Sequence, residues 1–536
     1  MNESEPESDL VITGGTIVTN APALPRAEAL AVSAGKIAAV GKWREVRRVA
    51  AAGCRVLDLA GGIAVPGLVD AHGHILGLGM ALSVLDVGSC RSAAAVAGAV
   101  AGAAAERSDG WILGRGWNHN AWDPPVFPDG RGLDAAASGR AVWLRRADGH
   151  AGLASPAALA LAGVSRDTPD PPAGRIVRDA AGAPTGVLID SAMNLVERVI
   201  PAAPAAVERR WLEAALACLA DAGLTAVHDM GSRAGIIAHL AELSREGNLP
   251  VRVRLAIDAG DDHLDEQLAR GPWSEGHLAV AAVKLFADGA LGSRGAALLA
   301  GYADEPGNRG LLLATSAELA GILRRATAGG FQTCIHAIGD GANRAALDAI
   351  AAAMTPPERH RLRPRIEHAQ VVHDADFARF RLMAVVASMQ PQHAASDFPW
   401  APRVLGPDRF RGAYAWRRML DEGVVVAFGS DFPVEPPAPL EGLRAAVTCA
   451  EDDGARRLTL GEALAAYTSG AAFASHCEDR RGRLAPGFDA DISLFTVDPA
   501  PPESGAGAAA ELLAPLVRAA RPRATVVAGR LREGRG

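Results

Sequence analysis

The sequence predicts an α/β protein built on a (β/α)8 barrel, with β-rich chain ends that meet in one small domain. Three observations predict it. First, in the middle of the chain helical stretches alternate with short apolar runs. "AAVERRWLEAALACLADAG" leads into "LTAVHDMG", and "SAELAGILRRATAGG" leads into "FQTCIHAIGD". This rhythm is that of parallel strands joined by crossover helices. Second, eight candidate strand ends can be counted, at His74, His150, His228, Lys284, His336, His368, Gln390 and Asp431. Eight is the number such a barrel needs. Third, both ends of the chain carry short β-rich runs with glycine turns.

Taken in order, the first sixty or so residues, "DLVITGGTIVTN…ALAVSAGKIAAVGK…RVLDLAGGIAVPG", read as a small antiparallel sheet. The last fifty or so repeat the pattern in "GRLAPGFDADISLFTV" and "RATVVAGRLREG", separated by the helix-like "AAAELLAPLVRA". Residues 1–63 with 483–536 are therefore expected to form one domain and 64–482 the barrel. Within 77–205 the rhythm fails. The segments "GRGWNHNAWDPPVFPDGRGLD" and "DTPDPPAGRIVRDAAGAPTG" are rich in Pro, Gly and Asp, and they read as an inserted subdomain of loops over one face of the barrel.

Bulk properties narrow the function. Hydrophobic residues make up 49% and charged residues 21%, the balance of a soluble globular protein. Aromatics are only 4%, so the core must be built mainly from Ala, Val and Leu. A net charge of −7 offers no footprint for nucleic acid. The six cysteines lie far apart and read as reduced thiols of a cytoplasmic protein. The opening "MNESEPESDL" is too polar for a signal peptide, and no apolar run approaches the ~20 residues that span a bilayer.

Chemistry is expected at the C-terminal strand tips. His72 and His74 follow "GGIAVPGLVDA", and their i, i+2 spacing in an extended segment sends both side chains to one side. His336 follows "GFQTCI", Glu367 and His368 follow "RPRI", and Asp431 follows "GVVVAFGS". Imidazoles and a carboxylate converging on one face suit zinc or a similar divalent ion. Taken singly, each has a plainer reading: a structural histidine, or an aspartate capping a helix. Lys284 interrupts the apolar strand "LAVAAVKLF". It is either a lysine with packed stem and solvated head, or a buried amine of lowered pKa that takes up carbon dioxide as a carbamate bridging two metals.

In order and combination, "VPGLVDAHGH", "GRGWNHNAW", "LRRADGHAGLASPAAL", "VKLFADGALGSRGAAL", "HAIGDGANRAALDAI", "RIEHAQ", "GSDFPVEPPAPLEGL" and "GRLAPGFDADISLF" resemble the amidohydrolase superfamily. The resemblance is to its YtcJ-like branch, amidohydrolase family 3, to which N-substituted formamide deformylase belongs, and it covers nearly the whole chain. It implies a distorted barrel with a β-sandwich made from both termini. It also implies one or two zinc ions, with His72, His74 and Asp431 holding the more buried, His336 and His368 the more exposed, and carboxylated Lys284 as the bridge. The implied activity is hydrolysis of a carbon–nitrogen bond outside peptide chains, in a small-molecule amide or N-substituted formamide, with Asp431 moving the proton. Hydrolysis of esters or lactones, isomerisation on the same site, and a metal-free binding or scaffold role are the alternatives.

Asp340 and Glu367 are candidates for orienting the imidazoles, or else helix caps and surface pairs. His150, Trp117, Asn118, Trp122, Gln390 and His393 are candidate substrate contacts, with Arg146, Asp148 and Gln392 nearby. The tryptophans have an equal alternative, pinning the inserted segment to the barrel. The Gly-rich "FADGALGSRGAAL" after Lys284 lacks a phosphate-loop ending and reads as a flexible cover. A small molecule is the expected partner, and the Ala- and Leu-rich surface with the family points to a homodimer.

Overall fold

The computed structural model of the chain describes residues 10–50, 53–106, 110–448, 456–497, 516–518 and 520–534. Eight strands form a parallel barrel in chain order: β1 Leu68–Gly73, β2 Leu224–Ser232, β3 Arg252–Asp258, β4 Leu278–Phe286, β5 Gln332–Ala337, β6 Arg365–His368, β7 Val386–Met389 and β8 Val426–Phe428. Each pairs with the next in parallel. The ring is nearly closed where the chain after β8 returns to β1. Gly73 bridges Phe432, Asp431 N donates to His72 O at 2.7 Å and His74 N donates to Phe432 O at 2.8 Å. Glycine is required at this seam, because a Cβ on Gly73 would lie 2.1 Å from the Phe432 ring and one on Gly429 2.5 Å from His72 N. The seam therefore brings the ends of β1 and β8 into direct contact.

Seven of the eight expected strand ends belong to the barrel, and His150 does not. It stands in the turn between the antiparallel strands Val142–Arg146 and Ala151–Ala154 of the insertion. The strand it displaced in the sequence reading is β3, "RVRLAID", which lies in the 56-residue interval between His228 and Lys284. β3 ends in Asp258 with no histidine or lysine at its tip, so it did not stand out among the candidate tips.

The insertion is a sheet rather than a set of loops. Six strands run in the order Gly174–Arg178, Pro184–Asp190, Ala151–Ala154, Val142–Arg146, Ile112–Trp117, Leu85–Asp86. Separate apolar clusters cover it, one built around Trp117, Leu144 and Ile189 and another around Trp143, Leu188 and Val196. The short parallel and antiparallel pairs mixed in this sheet leave no single period for a sequence pattern to display.

Both chain ends contribute to a pair of further sheets. One has four strands between Leu10 and Asp58; the other pairs Ile63–Pro66 antiparallel to Ile492–Val497, which pairs in turn with Ala520–Val527. Between them Ile12, Leu30, Leu484, Ile492, Leu494 and Val526 form one buried cluster. The helix expected over 508–519 lies mostly outside the described residues, as does Cys449; the other five cysteines are free.

A helix over Ala205–Asp221 carries the chain from the insertion into β2. Its buried residues Leu212, Ala215, Leu216, Leu219 and Ala220 recur at helical spacing, and each buried leucine contributes roughly 1.5–3 kcal/mol. The helix ends before Gly223, whose φ of 87° reverses the chain into β2. Among the described residues no helix is long and apolar enough to cross a membrane.

Candidate metal centre

The ends of β5 and β6 and the segments following β4, β7 and β8 line one cavity, with Asp431 at its edge toward β1. His72 and His74 flank Gly73, so the strand alternation carries both toward Asp431. Asp431 Oδ1 stands 3.5 Å from His72 Nε2 and 3.2 Å from His74 Nε2. Asp431 itself has φ of 59°, a left-handed conformation rare for a side-chain-bearing residue, at the seam that closes the barrel. Asp70 fastens that seam. Its carboxyl accepts from Ser430 Oγ at 2.6 Å, Ser430 N at 3.1 Å and His72 N at 3.2 Å, and burial pushes it up to about 7.

Behind His72 lies a buried charge network. His72 Nδ1 contacts Glu367 Oε2 at 2.6 Å. Glu367 is held in turn by Arg365, whose Nε donates to Oε1 at 2.7 Å. The remaining guanidinium donors reach Ala71 O at 2.7 Å, Ser388 Oγ at 2.9 Å and His228 Nδ1 at 2.9 Å. Burial pushes Glu367 up, but Arg365 and Lys284 outweigh it and leave the carboxylate below its ordinary range. An ionised acceptor on Nδ1 holds the proton there and leaves Nε2 bare toward Asp431, the state in which an imidazole binds a metal. Glu367 is thus an orienting residue, while Asp340 is not: its carboxylate accepts from Leu299 N at 2.9 Å and faces Arg409. His228 is committed to Arg365 inside the barrel.

His368 and His336 complete the inner wall, their rings 4.5 Å apart. Gln390 Oε1 holds His368 Nδ1 at 2.9 Å, so this glutamine serves the imidazole rather than the cavity. Burial pushes His72, His336 and His368 well below the ordinary histidine value, which keeps them neutral. Lys284 is fully buried with Nζ 3.5 Å from His72 Nε2. Burial lowers its ammonium, with Glu367 and Asp431 working against the shift; a lysine with a solvated head is not what the strand carries.

Several buried polar atoms at this face have no hydrogen-bond partner in the protein: His336 Nε2, His393 Nε2 and Asp431 Oδ1. Orphaned buried acceptors are costly, at about 1–3 kcal/mol each, and a divalent cation is the partner that would satisfy imidazole and carboxylate together. Among the described residues two groups of His, Cys, Asp or Glu side chains have ligand atoms within 4.8 Å of one another and could hold a metal: His72, His74 and Asp431, and His368, His393 and Asp431. The donor set therefore fits the ion the sequence implied.

The expected substrate contacts divide. Asn118, His150 and His393 line the cavity. Asn118 is held by Arg146, which also pairs with Asp148. His150 Nδ1 contacts Asp190 Oδ1 at 2.8 Å; burial pulls its pKa down, but the Asp190 bond and charge more than offset this and leave it raised. Trp117 and Trp122 do not line the cavity. Both indoles are buried in the core of the inserted sheet, with Trp117 Nε1 donating to Leu144 O at 2.8 Å and Trp122 Nε1 to Cys90 O at 2.9 Å. They build the insertion's own core rather than pinning it to the barrel.

The Gly-rich segment after β4 is no flexible cover either. Residues 287–293 are buried, and Asp288 accepts from Ala297 N at 2.8 Å, Ile338 N at 2.9 Å and Gly339 N at 2.8 Å. Sequence reasoning missed Asp70, Asp288 and Arg365. Only Arg365 carried a signal, a charge two residues before Glu367 on the same strand and hence on the same side.

A parallel barrel with imidazoles and a carboxylate gathered at its C-terminal mouth defines the class of metal-dependent barrel hydrolases. The family profile for the amidohydrolase family matches residues 55–532. The chain is 34% identical to YtcJ of Bacillus subtilis (strain 168), named as an amidohydrolase, over 91% of this chain and 94% of that one. It is 28% identical to N-substituted formamide deformylase of Arthrobacter pascens, over 92% of this chain and 94% of that protein. A crystal structure of an uncharacterized metal-dependent hydrolase from Pyrococcus horikoshii OT3 superposes with a TM-score of 0.75 at 26% identity, covering 96% of this chain and 100% of that one. The chain belongs to the amidohydrolase family.

Proposed function

We propose that this protein hydrolyses a carbon–nitrogen bond outside peptide chains, in a small-molecule amide or N-substituted formamide. The observation that carries the reading is the convergence of His72, His74 and Asp431 at the barrel seam, backed by the Glu367–Arg365 pair. The similarity to N-substituted formamide deformylase supports the substrate class. We further infer a cytoplasmic enzyme that works on small molecules as a homodimer.

His72, His74 and Asp431 would hold one ion, and Lys284, as a carbamate, with His336 and His368 would serve a second position. A bound divalent cation, zinc in this reading, supplies polarisation of a carbonyl and acidification of water. The protein does the rest. Asp431 receives the proton of the attacking water and delivers it to the leaving nitrogen as the carbon–nitrogen bond breaks, giving an amine and a carboxylic acid. Glu367 keeps His72 in one tautomer throughout. Asn118 and His150, fixed by Arg146 and Asp190, present hydrogen-bonding groups to the substrate from the inserted sheet. Burial of the inner histidines excludes competing water.

Incubation of the zinc-loaded protein with N-substituted formamides, amides, esters and lactones, followed by product detection, tests the assignment. Amine release from formamides or amides is expected. Cleavage confined to esters or lactones would overturn the carbon–nitrogen assignment.

A further inference from the structure

The structure assigns a subsite for a protonated amine on the substrate, made by Asp397, Glu435 and His393 on the cavity wall that the segments after β7 and β8 build. The inference rests on the hydrolase reading above and narrows its substrate to an amide whose substituent carries a primary ammonium group.

Two carboxylates stand on this wall without a cation. Asp397 and Glu435 both line the cavity, and among the described residues neither pairs with a lysine or arginine. Arg146, the one lysine or arginine lining the cavity among those residues, is already paired with Asp148. Burial pushes both carboxyls up, Asp397 to about 7, and the charge of Glu435 adds to the shift at Asp397. A cation beside them would relieve that cost.

A third group points to what the cation is. His393 lines the same cavity and is only 9% exposed, and its buried Nε2 has no hydrogen-bond partner. It is not among the ligands of the proposed ions, so in the neutral imidazole this nitrogen is an acceptor left for the substrate. Three acceptors match the three N–H donors of a primary ammonium.

The local fold holds these groups in place. Pro391 starts the helix Pro391–Asp397, and proline at the first helical position fixes where that helix begins. His393 and Asp397 stand four residues apart on it and so share a face. Asp397 Oδ2 accepts from Tyr414 Oη at 2.5 Å and from Gln370 Nε2 at 3.3 Å, which leaves Oδ1 for the cavity. Glu435 arrives after β8 and accepts a hydrogen bond from the Ser396 side chain, which ties the two segments together. Trp400, buried, brings an indole to the same wall, and aromatic faces attract ammonium groups.

Three formamides of matched length test the assignment: N-(5-aminopentyl)formamide, N-hexylformamide and 6-formamidohexanoate, which are cationic, neutral and anionic. On the zinc-loaded full chain the cationic compound is expected to exceed the neutral one in kcat/KM by about 10–100-fold, with the anionic one last. Glu435→Gln and Asp397→Asn should each cut that ratio, whereas the loss of a merely structural group would lower both rates together and leave the ratio unchanged. Equal kcat/KM for the cationic and neutral compounds, or an unchanged ratio in both variants, would overturn the subsite and leave the hydrolase reading standing. Calorimetric binding of the same three compounds to the unaltered chain reads the subsite without turnover. Tighter binding of the cationic compound supports it, and equal or absent binding overturns it. Failure to cleave any formamide or amide would remove the hydrolase reading instead, with the calorimetry still deciding the subsite.

Discussion

Replacing Glu367 by Gln separates the two tasks of that side chain. In the native chain its carboxylate neutralises the fully buried Arg365 and holds His72 Nδ1 at 2.6 Å. The amide keeps the shape but removes the charge, leaving a fully buried guanidinium without its counterion. Breaking a buried pair in this way costs about 3–5 kcal/mol. His72 also loses the anionic acceptor that fixes its tautomer. Loss of such an outer partner typically weakens metal binding about 10–100-fold, or about 1.4–2.8 kcal/mol. Urea unfolding of the metal-free protein reads the first quantity, and competition with a chelator of known zinc affinity reads the second.

The double variant Arg365→Met, Glu367→Leu makes the test sharp. Removing both charges together should restore part of the lost stability, because the unpaired guanidinium is gone although Ala71 O, Ser388 Oγ and His228 lose their donor. Zinc affinity should stay low, because His72 still lacks its acceptor. Recovery of affinity along with stability would refute the orienting role and leave the pair as a fold-stabilising element alone.

Asp431→Asn keeps shape and burial but removes the proton acceptor. Turnover should fall about 10²–10⁴-fold with the circular dichroism spectrum unchanged, and near-normal turnover would contradict the assigned role. Trp117→Ala empties a fully buried site in the inserted sheet and should destabilise it by about 3–5 kcal/mol without altering substrate preference among soluble variants; a changed preference at unchanged stability would return the indole to the substrate. Asp288→Ala leaves three buried backbone donors unsatisfied, at about 1–3 kcal/mol each. Hydrogen exchange should accelerate at Ala297, Ile338 and Gly339 while β2 and β3 stay protected, and unchanged exchange at those amides would contradict the pinning.

Much of the barrel was legible because each βα unit leaves a local mark: an apolar run, a polar tip, then a helical period. His72, His74, Lys284, His336, His368 and Asp431 could all be singled out for standing at such tips. β3 was hidden because its tip carries Asp258 alone, with no histidine or lysine to single it out, and His150 was misplaced because a histidine after an apolar run looks the same in a hairpin as in a barrel strand. The inserted sheet was read as loops, since its short strands pair with partners far along the chain. What sequence cannot display is direction. The indoles of Trp117 and Trp122 turn into a core, Gln390 turns back to His368, and His393, four residues beyond β7, turns over the mouth. Asp70 and Asp288 gave no signal because their work is to receive backbone N–H groups from segments distant in sequence.

The central claim is that the seam between β1 and β8 builds a divalent-cation site. A crystal structure of the zinc-loaded chain, with data collected on either side of the zinc absorption edge, tests it directly. The account predicts an anomalous peak within about 2.1 Å of His72 Nε2 and His74 Nε2 and in bonding contact with Asp431. A well-ordered barrel with these three side chains in place and no anomalous density between them would contradict it.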